Sequence, residues 1–158
     1  MPREPERPVK GTDDGYVLDL ATQERDLLVQ LMGELESLLK EDDHPYVARL
    51  FPVAYPDDDE AEAEYQRLMR EELVISRSAN IELVKELVAR PEGAAMTEGE
   101  TLGWMQSLNA IRVVLGTMLG IDDDETAEQI DLNEGSGPQL YGYLSYLLEW
   151  TVQSLSGR

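Results

Sequence analysis

The chain contains no cysteine. Disulfides, thiolate metal sites, iron–sulfur clusters and thiol redox switching are excluded with it. Histidine is almost as scarce, since His44 stands alone in a proline-bearing loop. A zincin needs two histidines, and a di-iron bundle needs Glu-x-x-His on two helices. Neither fits. Cations are few: 13 Lys and Arg stand against 33 Asp and Glu, a formal charge of -20. Phosphate backbones call for basic patches, so no direct nucleic-acid binding is expected, and no contact with anionic membranes. Apolar runs never approach the ~20 residues that span a bilayer. The opening "MPREPERPVKGTDDG" lacks the apolar segment of a signal peptide, which points to a cytoplasmic protein. G-x-S-x-G, P-loop and G-x-G-x-x-G motifs are all missing. No catalytic residue, no metal ligand set and no cofactor is expected, and the chain reads as non-enzymatic.

What remains is an acidic helical pattern. A length of 158 residues suits one domain. Residues 1–15 mix proline, glycine and charge and read as a flexible tail, with a single helical domain over 16–156. "GYVLDL" (Gly15–Leu20) reads as a short strand or extended lead-in. Leu28, Leu31, Leu35 and Leu38 recur at helical spacing and predict a helix over 22–40. Pro45 ends it, and Tyr46–Phe51 suggests one short helical turn.

In "LFPVAYPDDDEAEAEY" (Leu50–Tyr65) the acids open a long helix that runs to about Arg90. Asp57 or Asp58 caps its N-terminus, and Asp59, Glu60 and Glu62 favour the dipole in the first turns. Its expected core stripe is Tyr65, Leu68, Met69, Leu73, Ser76, Ala79, Leu83 and Leu87. Thr97 and Glu100 form a capping box for a third helix, which stops at Gly120. An acidic loop follows. Its "DLNEGS" (Asp131–Ser136) departs from a calcium loop at Gly135, Ser136 and Gly142. The Asp57–Asp59 and Asp122–Asp124 runs read as caps and solvated loop. A fourth helix starts near Pro138. The fold class is therefore all-α: a bundle of four main helices plus short helical turns, with a short N-terminal strand or hairpin.

Two side-chain groups stand out. On the third helix, Trp104, Leu108, Ile111, Leu115 and Met118 form an apolar stripe, and Asn109, Arg112 and Gly116 run beside it. These three suggest a buried polar lock between helices, with Glu64, Glu71 or Glu72 as partner for the guanidinium. The alternative is a clamp for an anionic ligand. On the fourth helix, Tyr143, Tyr146 and Trp150 line a face separate from Leu140, Leu144 and Leu147. That face is either an interface hot spot or a second core layer against the N-terminal segment.

"LFPVAYPDDDEAEAEYQRL", "LNAIRVVLGTMLG" and "LYGYLSYLLEWTVQSL" together resemble the actinobacterial AosR-like family, a domain of unknown function linked to oxidative stress. The resemblance spans roughly Gly15 to Leu155. It implies a small acidic cytoplasmic protein, with genes near a protease-adaptor gene and a cysteine-biosynthesis cluster. It also implies control of transcription through contact with an alternative sigma factor. Pro52, Tyr55, Pro56, Asp57, Asn109, Arg112 and Gly116 carry over as fold or contact determinants. Any thiol sensor in the family has no counterpart in this cysteine-free chain. The leading expectation is an acidic protein-interaction module with a basic partner such as a sigma factor. The alternatives are a proteolysis-linked adaptor, a small anionic-ligand binder at Asn109 and Arg112, and a homodimer.

Overall fold

In this computed structural model the described residues are 7–40, 50, 53–120 and 136–157. The turn expected at Tyr46–Phe51, apart from Leu50, lies outside them, as do Pro52 and the acidic loop over 121–135. The described chain is mostly helical, with a small three-stranded antiparallel sheet. The strands are β1 (Val9–Thr12), β2 (Gly15–Leu18) and β3 (Ala95–Met96). The helices are α1 (Thr22–Leu39), α2 (Asp59–Ala89), α3 (Glu98–Leu119) and α4 (Ser136–Leu155).

The sheet takes up residues 9–15, part of the flexible tail expected over 1–15, and includes the short strand expected at Gly15–Leu20. Val9 pairs with Leu18 and Thr12 with Gly15, around a two-residue loop at Asp13 and Asp14. Val9 is fully buried, and its carbonyl accepts a hydrogen bond from the Ser154 hydroxyl at 2.8 Å. The hairpin is thus sewn to the end of α4. Tyr16 pairs with Met96 across the other edge of β2. Gly15 has φ +140°, and a Cβ there would fall 2.3 Å from the Met96 carbonyl oxygen. Only glycine fits that crossing.

Local chemistry sets the helix ends. α1 opens with the Glu24 carboxylate accepting from the Ala21 N–H at 2.9 Å. Arg25 donates to the carbonyl of Val88 at 2.7 Å, satisfying an otherwise free group in the last turn of α2. Asp58 caps α2 through the Ala61 N–H at 3.0 Å. Thr97 and Glu100 form both halves of the expected box, at 3.0 and 2.9 Å. Gly120 closes α3 in the left-handed region, with φ 76°.

α3 is the axis of the core. Trp104 and Leu108 are fully buried, with Ala110, Ile111 and Val114 nearly so. The end of the expected stripe differs, because Met118 is 51% exposed. The Trp104 indole N–H donates to the Thr151 hydroxyl at 3.0 Å, and that hydroxyl donates to the Leu147 carbonyl at 2.8 Å. The largest buried side chain therefore carries its polar atom fully satisfied. On the opposite flank α2 comes close at Gly103, where a Cβ would stand 2.6 Å from Leu83 Cδ2.

The junction between α2 and α3 is ionic. The Arg90 guanidinium grips both oxygens of Glu100, at 2.5 and 3.1 Å, and also reaches Glu86 at 2.8 Å. Bidentate pairing of this kind is the stronger sort of ion pair. The Arg90 hydrogen bonds, followed by the Thr97 N–H, hold Glu100 down to about 2.

Two measurements test this packing. Thr151→Val strands the indole N–H in the core and is expected to cost about 1–3 kcal/mol, read by urea denaturation. An unchanged midpoint would contradict the role given to that bond. The Glu100 carboxyl is depressed in the folded chain, so its contribution is complete above its ordinary value of 4.5 and fades as pH falls towards about 2. The stability gap between the wild type and Glu100→Gln should shrink across that window. A gap independent of pH would contradict it.

Candidate interaction surface

α2 is the longest element, about 46 Å at 1.5 Å per residue for its 31 residues. Its buried residues are Ile81, Val84, Leu87 and Val88, all in the C-terminal third. No residue of the helix before Ile81 is buried. The expected stripe through Leu68, Ser76 and Ala79 is therefore not the core face. Leu68 and Ile75 are 58% and 64% exposed, and Ser76 and Ala79 also face water. Leu73, Leu83 and Leu87 of that stripe do meet the core, together with Ile81, Val84 and Val88, which the stripe left out.

At 100° per residue, Leu68 and Ile75 lie about 20° apart on the outward side. Glu64, Glu71, Glu72, Glu82 and Glu86 fall within about 60° of Leu68, and all are exposed. No Lys or Arg of the helix shares that arc. Arg67, at its edge, meets Glu64 at 2.7 Å. Lys85 meets Glu82 at 3.4 Å, and Arg90 meets Glu86 at 2.8 Å. Glu71 and Glu72 form no ion pair among the described residues. The face therefore combines two bare branched aliphatic side chains with uncompensated carboxylates.

The lead-in to α2 is held by Glu62, whose carboxylate accepts from the N–H groups of Ala54 and Tyr55 at 2.9 and 2.7 Å. The Gln66 amide and these two donors hold the Glu62 carboxyl below its ordinary value. Tyr55 is 48% exposed and meets the Tyr65 ring edge-on at 5.9 Å. Pro56 and Asp57 are exposed and the cap is Asp58, so this motif sets the entry of the long helix.

The aromatic face of α4 is largely occupied from within. The Tyr143 hydroxyl donates to Glu24 at 2.6 Å, tying α4 to α1. Burial, and then that carboxylate, push the phenol well above its ordinary value. The Arg7 guanidinium sits over the Trp150 ring at 5.6 Å. Tyr146 is the exposed one of the three, at 42%. Two of the three candidates thus belong to contacts with α1 and the N-terminal segment.

The buried lock expected on α3 is corrected as well. Asn109 is exposed and accepts from Arg112 at 3.2 Å along the same helix. The guanidinium is half-buried over the Tyr141 ring at 5.9 Å, not against Glu64, Glu71 or Glu72. Gly116 is buried beside it. An open groove of about 1040 Å³ runs beside the hairpin, between Tyr16, Glu98 and Ser154. Its walls mix Arg7 and Lys10 with Asp13, Asp14 and Asp19.

Among the described residues no group of three or more carboxylates and histidines is arranged to hold a metal ion. None of their helices is long and apolar enough to cross a membrane. Periodicity along α2 would have exposed its outward face had Ile81, Val84 and Val88 been weighed against Leu68 and Ile75. These two sets lie on opposite sides of one wheel.

Compared with known proteins, the chain matches the model of a domain of unknown function, DUF2017, over residues 6–155. No curated protein and no solved structure matches it. Because the family match takes in almost the whole chain, the protein belongs to the DUF2017 family.

Proposed function

We propose that this member of the family is a non-catalytic protein-interaction module of the actinobacterial, AosR-like kind. It acts in the cytoplasm as an oxidative-stress-type transcription regulator, through contact with a sigma factor or a similarly basic partner. The four helices serve as a bundle that carries the contact surface. The observation that carries this reading is the charge. Thirty-three carboxylates against thirteen cations leave -20 on a chain of 158 residues, and α2 presents unpaired acids beside open aliphatic side chains. Such a surface steers a cationic partner and repels nucleic acid. The absence of cysteine excludes a thiol sensor in the chain itself. Arg112, stacked on Tyr141 and bonded to Asn109, gives no support to the ligand-clamp alternative.

The test is crosslinking of the tagged full chain in cells, followed by binding to the purified candidate at two salt concentrations. Screening shortens the reach of exposed charges from about 30 Å at 0.01 M to about 8 Å at 0.15 M. Recovery of a basic transcription component, with affinity that falls as salt rises, is expected. Crosslinking that yields no transcription component, or affinity indifferent to salt, would contradict the reading.

A further inference from the structure

The outward face of α2 has no partner within the described fold, and its chemistry is specific enough to say what fits it. Leu68 and Ile75 are seven residues apart and more than half exposed. That is the spacing at which one helix seats side chains against another. Glu64, Glu71, Glu72 and Glu82 surround the pair, with no cation of the helix on the same arc. A second copy of this chain is a poor occupant. In an antiparallel pairing that seats Leu68 against Ile75 of the other copy, Glu71 and Glu72 of both copies would meet at the dyad. Like charges so placed repel. A helix with aliphatic residues on one side and Lys or Arg along its margins meets both requirements.

We infer that the face of α2 built on Leu68, Glu71, Glu72 and Ile75 is the docking surface for a basic amphipathic helix of a protein partner. This rests on the reading of the chain as a module for a basic partner, and it locates that contact on one helix. The aliphatic pair supplies the desolvated centre, and the glutamates supply the charged margin that selects against acidic and neutral helices. Because no residue of α2 before Ile81 is buried, substitutions on this face leave the core untouched.

The experiment uses fluorescence anisotropy with the full chain and two labelled synthetic probes. One is an amphipathic Leu/Lys helix of about three heptads. The other is a scrambled peptide of the same composition with no apolar side. Circular dichroism confirms that each variant remains folded. The wild type is expected to prefer the amphipathic probe by about tenfold or more, a difference of about 1.4 kcal/mol. Leu68→Ser with Ile75→Ser should abolish the preference while leaving the scrambled probe bound as before. Glu71→Lys with Glu72→Lys should weaken both probes more than Asp26→Lys with Glu34→Lys, which makes the same change in charge on exposed positions of α1. Equal affinity of wild type and α2 variants for the amphipathic probe would overturn the docking surface and leave the basic-partner reading standing. Failure of the wild type to bind either probe would overturn both. A wild-type dimer in light scattering that the Leu68 and Ile75 substitutions dissociate would assign the face to a second copy and overturn the inference.

Discussion

Twenty uncompensated negative charges have to stay in water, and the arrangement of this chain follows from that requirement. Isolated carboxylates cannot be buried without a cation or a set of donors. The core is accordingly aliphatic around a single tryptophan, and its buried polar side chains are Thr101, Ser107, Thr151 and Ser154. Carboxylates that do work inside the fold sit at helix ends. Glu24 and Glu100 accept the backbone N–H of the residue that caps their helix, and Glu62 accepts those of Ala54 and Tyr55 in the lead-in to α2. Glu100 alone is gripped by a guanidinium as well. Most of the other acids among the described residues are exposed, and Lys40, Arg67 and Lys85 pair with glutamates on their own helices.

Within that coat α2 differs from its neighbours. α1 and α3 bury residues over most of their lengths, from Leu28 to Leu39 and from Thr101 to Gly116. α2 buries only its last turns. A long helix with a short anchor must offer the remainder to solvent or to another molecule. Single exposed aliphatics are ordinary on any surface. Two of them in register on one helix, ringed by glutamates, make a composed surface. In the proposed role charge would attract at a distance, and the aliphatic pair would give the encounter a place to settle.

Much of this was legible in the residues, and the failures have physical causes. Helix ends came through because caps are local chemistry. Thr97 with Glu100, Gly120 and Pro91 each act within a few residues of the end they define. β2 was expected as a short strand, but β1 was missed because it shows one apolar residue, Val9, whose carbonyl is held by Ser154 at the far end of the chain. β3 is two residues long and carries no pattern of its own. The aromatic face of α4 stayed open between an interface and a layer against the N-terminal segment because its partners, Glu24 and Arg7, are more than a hundred residues away. Asn109 and Arg112 looked buried because they flank an apolar stripe, yet three residues of helix place them at its wet margin. The stripe of α2 was right at Leu73, Leu83 and Leu87 and wrong at Leu68, Ser76 and Ala79, because periodicity reports that faces exist, not which one meets the core.

The most direct measurement is an amide chemical-shift titration of the isotope-labelled chain with the basic amphipathic peptide. A docking role for α2 requires the largest shifts between Glu60 and Glu86, saturating together at one affinity. Shifts centred on Tyr146 in α4 or on the β1–β2 hairpin, or small changes spread evenly over every acidic residue, would contradict it.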